Sequence, residues 1–235
     1  MNLFVLDKNT KTSVRYHCDK HVVKLILEAI QMLYCAFHIL DEGNDDWKKS
    51  APSTYMKLTH KNHPINKWVR LNDKTYDYTL EYASELLQEY TLRYSKIHSS
   101  HVHYEWLSKN KPKNIVYSNS SSVPVMPLAM PDQYKSLPTV SWDDVVTSYR
   151  NYYLGEKLSF CSYKGVDWPD WIPVSSRPVK VPKPKQTKTR KQPAKKRKSI
   201  SDDEQDNDSD VELVPIKQAK TSNNNNTSKK KLKSK

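Results

Sequence analysis

The stretch SVRYHCDKHVVKLILEAIQMLYCAFHIL, residues 13–40, decides the fold of this chain. Its aliphatic side chains recur at spacings of three and four residues, which is the period of an α-helix. Ser13 is a suitable N-cap, and an acidic turn that ends in Gly43 stops the pattern. Because Lys24 and Glu28 interrupt the apolar run, we expect a buried core helix and no membrane span.

Two further segments complete the expected architecture. Residues 65–96, opened by His63 and Pro64, carry apolar and aromatic side chains at helical spacing and predict a second long helix. Residues 2–6, NLFVL, predict a short strand or extended arm. The fold class is therefore mainly α: a compact helical domain over residues 1–176, with two long helices and a short N-terminal arm.

The remainder of this domain predicts loops and one shorter helix. Residues 109–139 are rich in Pro and Ser and are typical of a loop. Ser141 begins a capping-box-like sequence, so we expect a helix from there to Leu154. Gly155 would then be its C-cap.

The last part of the chain has a different composition. Residues 1–176 carry a net charge of +2 and residues 177–235 a net charge of +11, which together account for the +13 of the whole chain. Residues 177–235 have no aromatic side chain, so we expect a disordered basic tail. The cluster PAKKRK resembles a nuclear-localisation signal. We expect DNA phosphates and a nuclear import receptor to bind its four cations, Lys195, Lys196, Arg197 and Lys198.

Composition also excludes several classes of protein. With only three glycines, the chain cannot form the glycine-rich phosphate loops of dinucleotide-binding or P-loop enzymes. The three cysteines are odd in number and far apart, so they predict neither a disulfide framework nor a zinc knuckle. No signal peptide is recognisable, and we expect an intracellular protein without a membrane partner or a cofactor.

A row of polar residues lies on one face of the first predicted helix. Burying such a row is unfavourable by several kcal/mol unless its members pair with each other or line a cavity. The row therefore predicts either a hydrogen-bonded core network, an ordinary wet face or the wall of a cleft. Its members recur at alternating spacings of four and three residues: His17, His21, Lys24, Glu28, Gln31, Cys35 and His38.

A metal site is the alternative interpretation of the histidines. His17 and His21 could chelate as an i, i+4 pair, and two other histidine groups could complete a site. No HExxH motif is present and few carboxylates accompany the histidines, so we expect no metal. The other groups are His60 with His63, and His98 with His101 and His103.

Three segments resemble one known family. DKHVVKLILE, residues 19–28, is similar to the Asp-x-His-x6-Glu segment of the phage-type pyrimidine-dimer DNA glycosylase/AP lyases of the endonuclease V type. Residues 72–94 resemble that family's second helix, and YRNYYLGEK, residues 149–157, resembles its aromatic C-terminal helix end. The starts MNLFVLD and CDKHVVK are also similar to uncharacterised phage and large-virus proteins.

The resemblance implies a mechanism that uses the N-terminal amine. In that family the initiator methionine is removed, and the free amine attacks C1′ of the damaged nucleotide, forms a Schiff base and cuts the strand by β-elimination. Asn2 would supply this amine here. Glu28 would match the catalytic glutamate, and His21 would match a histidine that contacts DNA. Leu27 stands where the family has an arginine.

The same resemblance places DNA near the aromatic helix end. We expect the active cleft between the polar face of the first helix and this end, where tyrosines could stack on an extruded base and Arg150 could hold a phosphate. The remaining DNA-binding candidates are Lys24, His17, Tyr149, Tyr152 and Tyr153.

We therefore expect a repair-type N-glycosylase/AP lyase that acts on pyrimidine dimers or modified bases. Two alternatives remain open at this point. One is a non-enzymatic DNA-binding or chromatin-like protein, and the other is a metal-dependent nuclease or base-modifying enzyme on a similar scaffold. The nuclear signal indicates the nucleus of a eukaryotic cell, including one infected by a virus.

Overall fold

The computed structural model describes residues 1–178, which are mainly helical and contain no strand. This confirms the predicted fold class. Seven α-helices follow one another: α1 Thr10–Arg15, α2 Asp19–Leu40, α3 Asp46–Ser50, α4 Pro64–Val69, α5 Asp73–Tyr94, α6 His101–Leu107 and α7 Trp142–Tyr152. From position 179 onward the predicted tail, including Lys195, Lys196, Arg197 and Lys198, lies outside the described residues; only its first two residues, 177 and 178, are described.

The core forms around α2, which packs along α5. By length and composition α2 could cross a membrane, but 61% of its most apolar window is buried inside the fold, as in a core helix. The arm before α1 is extended, and its residues 3–6 are buried between the helices. Leu6 donates its backbone N–H to Ser13 Oγ at 2.8 Å, which joins the arm to α1.

The first predicted helix is broken into α1 and α2. Asn9, not Ser13, caps α1, and the chain turns at residues 16–18 before α2 begins. The buried guanidinium of Arg93 donates to the carbonyl oxygens of Arg15 and His17 at 3.0 and 2.8 Å. The break leaves carbonyl groups without helical partners, and this distant arginine satisfies them.

The second predicted helix is likewise divided, into α4 and α5. His63 caps α4 as expected, with Pro64 in the first turn. Asn72 then starts α5 through a capping box with Thr75, in which each side chain bonds the other residue's backbone N–H. A capping box of this kind satisfies free N–H groups at a helix start, so the chain begins a new helix there.

The end of α7 differs from the prediction at Gly155. The Ser141 capping box is present, with Asp144 as its partner, but α7 ends at Tyr152 and continues as a π-helical turn, Tyr153–Lys157. Gly155 lies inside that turn and is not a C-cap. A Cβ atom there would approach the ring of Tyr134 to 2.4 Å, so glycine permits this close contact.

Candidate active site

The carboxylate of Glu28 faces the N-terminus of the chain. Its Oε2 accepts a hydrogen bond from the backbone N–H of Asn2 at 2.7 Å and lies 3.8 Å from the α-amine of Met1. Its Oε1 lies 3.9 Å from Lys24 Nζ, one turn earlier on α2. The Glu28 side chain is 14% exposed, so this carboxylate is neither sealed in the core nor free in solvent. The mechanism implied by the resemblance requires Glu28 to lie close to the N-terminus, and the structure has this arrangement.

Asn2 is held by its side chain as well as by its backbone. Its Oδ1 accepts hydrogen bonds from the Tyr149 hydroxyl at 2.7 Å and from the Leu3 N–H at 2.9 Å. Its Nδ2 donates to the carbonyl oxygen of Ala129 at 2.8 Å. With the bond to Glu28, four partners fix one residue at the chain end, where chains are usually poorly ordered.

The rest of the arm anchors this end against three helices. The ring of Phe4 stacks on His21 of α2, with centroids 4.6 Å apart and planes 19° apart. Its carbonyl oxygen accepts a hydrogen bond from the Tyr82 hydroxyl of α5 at 3.2 Å. On the α7 side, Tyr152 also stacks on Phe4, at 5.9 Å. The position of the N-terminus is therefore set by the packing of α2, α5 and α7.

His63 and Asn66 lie beside the site, and the sequence alone did not place them there. Burial, the nearby α-amine and His60 lower the pKa of His63, while Glu28 opposes this effect. Its Nδ1 accepts the N–H of Ile65 at 3.3 Å, which leaves Nε2 as the ring's other polar atom. Asn66 is buried, and its amide nitrogen is 3.9 Å from the Met1 sulfur. His63-Pro64 is readable as a helix start, but only tertiary packing brings it to the N-terminus.

The two histidines that precede Glu28 on the predicted face are buried. His17 is 0% exposed, and burial lowers its pKa to about 3. Its ring nitrogens bond the Val14 carbonyl and the Tyr82 hydroxyl, so the predicted DNA contact by His17 is wrong in this structure. His21 is 8% exposed, and its Nδ1 bonds the Tyr153 hydroxyl. His21 packs against the arm and does not contact Glu28.

The aromatic helix end reaches the site but does not present its rings as predicted. Tyr149 and Tyr153 are both 0% exposed, so stacking of these two rings on an extruded base is wrong for this conformation. Tyr152 is half-buried. Arg150 donates to the Leu6 carbonyl at 2.8 Å and to the carboxylate of Asp7 at 3.3 Å, so its guanidinium holds the arm.

Within residues 1–178, no three His, Cys, Asp or Glu side chains are grouped so that they could hold a metal ion.

The site contains a primary amine beside a carboxylate. The neutral form of a primary amine can attack an electrophilic carbon, and a neighbouring carboxylate can move the protons that the attack requires. Comparisons with family models, curated proteins and solved structures found no match to this chain.

Proposed function

We propose that this protein is a DNA glycosylase/AP lyase whose nucleophile is the N-terminal amine. One observation carries the proposal: the nitrogen of residue 2 lies 2.7 Å from the carboxylate of Glu28. If the initiator methionine is removed, that nitrogen becomes the α-amine without any movement of the arm. The sequence resemblance names the same two groups, and it contains no information about their distance.

The chemistry follows from these two groups. The amine lone pair forms a bond to C1′ of the target nucleotide as the glycosidic bond breaks and the base leaves with a proton. Glu28 protonates the sugar ring oxygen, the ring opens, and a Schiff base remains. Loss of a proton from C2′ then expels the 3′-phosphate by β-elimination, and hydrolysis of the imine returns the free amine.

Retention of Met1 leaves the same pairing in a second form. The Met1 amine is 3.8 Å from the same carboxylate, and the Met1 side chain packs near Asn66. An amine therefore lies beside Glu28 whether the mature chain begins at Met1 or at Asn2. The distance favours Asn2, because a free amine at this nitrogen position, 2.7 Å from the carboxylate, would be within direct proton-transfer reach.

DNA phosphates would be bound by cationic residues near the amine and Glu28 and by others farther along the chain. Lys24 is a cationic side chain 3.9 Å from Glu28, and it is 66% exposed. It can hold a phosphate next to the reacting sugar. We propose that the basic residues after position 178 add the sequence-independent attraction to DNA, which weakens as salt rises.

Borohydride trapping tests the proposal. The full chain is incubated with a duplex that contains one abasic site, and sodium borohydride reduces any Schiff base to a stable adduct. Mass spectrometry of the adduct identifies the attached residue, and we expect the N-terminal one. Glu28→Gln should lower strand cleavage about 100-fold or more, because a general acid is lost, while DNA affinity changes only a few-fold.

Glu42→Gln is the matched control, because Glu42 is exposed and lies just beyond α2. It should cleave at the unmodified rate. Equal cleavage by the two variants would refute the role of Glu28. Cleavage without an adduct that stops in EDTA would indicate a metal-dependent nuclease, and DNA binding without cleavage would indicate a non-enzymatic DNA-binding protein.

A further inference from the structure

Two of the three cysteines meet in space, although they are far apart in the sequence. Cys18 precedes α2, and Cys161 follows the short 3₁₀ turn Leu158–Phe160. The residues that follow them are joined, because Asp19 donates its N–H to the Ser162 carbonyl at 2.8 Å. The Ser162 hydroxyl also donates to the Asp19 carboxylate at 2.8 Å.

This pairing holds the backbone next to the two cysteines at a separation compatible with a disulfide. Backbones joined by such a hydrogen bond lie about 5 Å apart, and disulfides form across Cα separations of about 4.4–6.8 Å. The side chains of Cys18 and Cys161 lie close enough to shift each other's pKa, and Cys161 Sγ donates a hydrogen bond to the Lys157 carbonyl at 3.2 Å. Both cysteines are reduced in the structure, and both are buried, Cys18 at 0% exposure and Cys161 at 5%.

The surroundings make the two cysteines unequal. The neighbouring Cys161 side chain, and after it His21, lower the pKa of Cys18 against the effect of burial. The Cys18 sulfur and burial raise the pKa of Cys161. Cys18 also lies at the N-terminus of a 22-residue helix, whose dipole favours a negative charge. A thiolate in contact with a thiol is the starting point of disulfide chemistry.

Cys35 has no comparable partner among the described residues. It lies on the same helix, 17 positions after Cys18, which places the two about 25 Å apart at 1.5 Å per residue. Burial raises the pKa of Cys35. It therefore serves as an internal control for any oxidation that depends on pairing.

We propose that Cys18 and Cys161 form a redox modification site that hydroperoxides oxidise to a disulfide. The Cys18 thiolate attacks the terminal peroxide oxygen, the O–O bond breaks, and the alkoxide or hydroxide leaving group takes up a proton. Cys18 is then a sulfenic acid. The Cys161 sulfur attacks the Cys18 sulfur, the S–O bond breaks, and water leaves with the Cys161 proton.

The disulfide would fix the start of α2 to the segment after α7. This junction lies under the arm, because the Tyr153 hydroxyl bonds both the Cys18 N–H at 3.1 Å and His21, on which Phe4 stacks. The bond would close a loop of roughly 140 residues, a length for which chain entropy predicts a large stabilisation. The inference is independent of the proposed function, since it rests on the cysteine pair alone.

The full chain tests the site without any variant. The reduced, folded protein is treated with hydrogen peroxide at one to two equivalents, alkylated, and analysed by intact mass and by peptide mapping. We expect the chain to lose about two mass units on oxidation, before alkylation, and then to take up one alkyl group, on Cys35, while peptide mapping shows a Cys18–Cys161 linked peptide. The oxidised protein should melt about 10 °C higher than the reduced one.

Variants identify the order of the steps. Cys161→Ser should stop the reaction at a Cys18 sulfenic acid that dimedone captures, whereas Cys35→Ser should give the same disulfide as the unchanged chain. Intermolecular disulfides, oxidation of Cys35 alone, or a native chain that keeps three reactive thiols would each overturn the proposal. The peptide map of the unchanged chain decides the question even if Cys161→Ser fails to fold.

Discussion

Removing a single oxygen atom at Tyr149 tests whether the N-terminus is held in place for a purpose. Tyr149→Phe deletes the hydroxyl that donates to Asn2 Oδ1 at 2.7 Å inside the core. The ring and its packing remain. Asn2 keeps its bonds to Leu3, Ala129 and Glu28, so the arm should stay in place with one restraint fewer.

The magnitude can be set against a matched substitution. A buried hydrogen bond between neutral groups contributes about 1 kcal/mol to stability. Tyr90→Phe is the control, because the buried Tyr90 hydroxyl has no hydrogen-bond partner among residues 1–178. Deleting that hydroxyl should be neutral or stabilising. We expect the free energy of unfolding of Tyr149→Phe to be about 1–2 kcal/mol lower than that of Tyr90→Phe. Its melting temperature should be about 3–6 °C lower.

Function should follow the same contrast. A nucleophile that loses a positioning contact reacts more slowly, and we expect single-turnover borohydride trapping to slow about tenfold in Tyr149→Phe. DNA affinity and the Tyr90→Phe rate should not change. If the two variants have equal stability and equal trapping rates, the Asn2–Tyr149 contact does not position the amine, and the reasoning fails.

Two further predictions concern the buried charges and histidines. Arg93→Met should destabilise the fold by about 3–5 kcal/mol, because it leaves the carboxylates of Asp19 and Glu89 without their cationic partner. The control is Arg15→Met, because Arg15 is exposed. It should change the free energy of unfolding in urea by less than about 0.5 kcal/mol. Burial lowers the pKa of His17 from 6.5 to about 3 and that of His98 to about 4. The unfolded chain therefore binds their protons first as the pH falls, and the free energy of unfolding should drop below pH 6.5, by about 2.5 kcal/mol per unit near pH 5. A flat urea profile from pH 7 to pH 4.5 would contradict this.

The sequence predicted helical content better than helix boundaries. Periodicity reports which face of a segment is apolar, and the two expected long helices share their periodicity across the breaks that the structure shows. One break was readable, since Asn72, Asp73 and Thr75 form a helix-start signal within the sequence. The other depends on Arg93, which bonds the turn at residues 16–18 from the far end of α5. No local pattern contains such a contact.

The candidate site was predictable to a different degree for each residue. Glu28 and the N-terminus could be paired from the resemblance, because the mechanism of that family uses both groups. The rings of Tyr149 and Tyr153 could not be placed, because α7 carries aromatic residues on several faces and spacing does not say which face is inside. Cys18 and Cys161 could not be paired either, since nothing local records a contact across most of the domain.

The arm itself is the strongest argument that the site is functional. Leu3, Phe4, Val5 and Leu6 are buried, and they suffice to anchor the arm by apolar packing. The hydrogen-bonded part of the arm nevertheless extends beyond these residues to Asn2. The Asn2 nitrogen bonds the partly exposed carboxylate of Glu28, and Lys24 lies beside that carboxylate. Packing continues to the chain end as well, since the Met1 side chain is only 3% exposed and lies against the core. Packing of Met1 accounts for a fixed chain end, whereas the bond from the Asn2 nitrogen to a partly exposed carboxylate is the feature that the proposed chemistry uses.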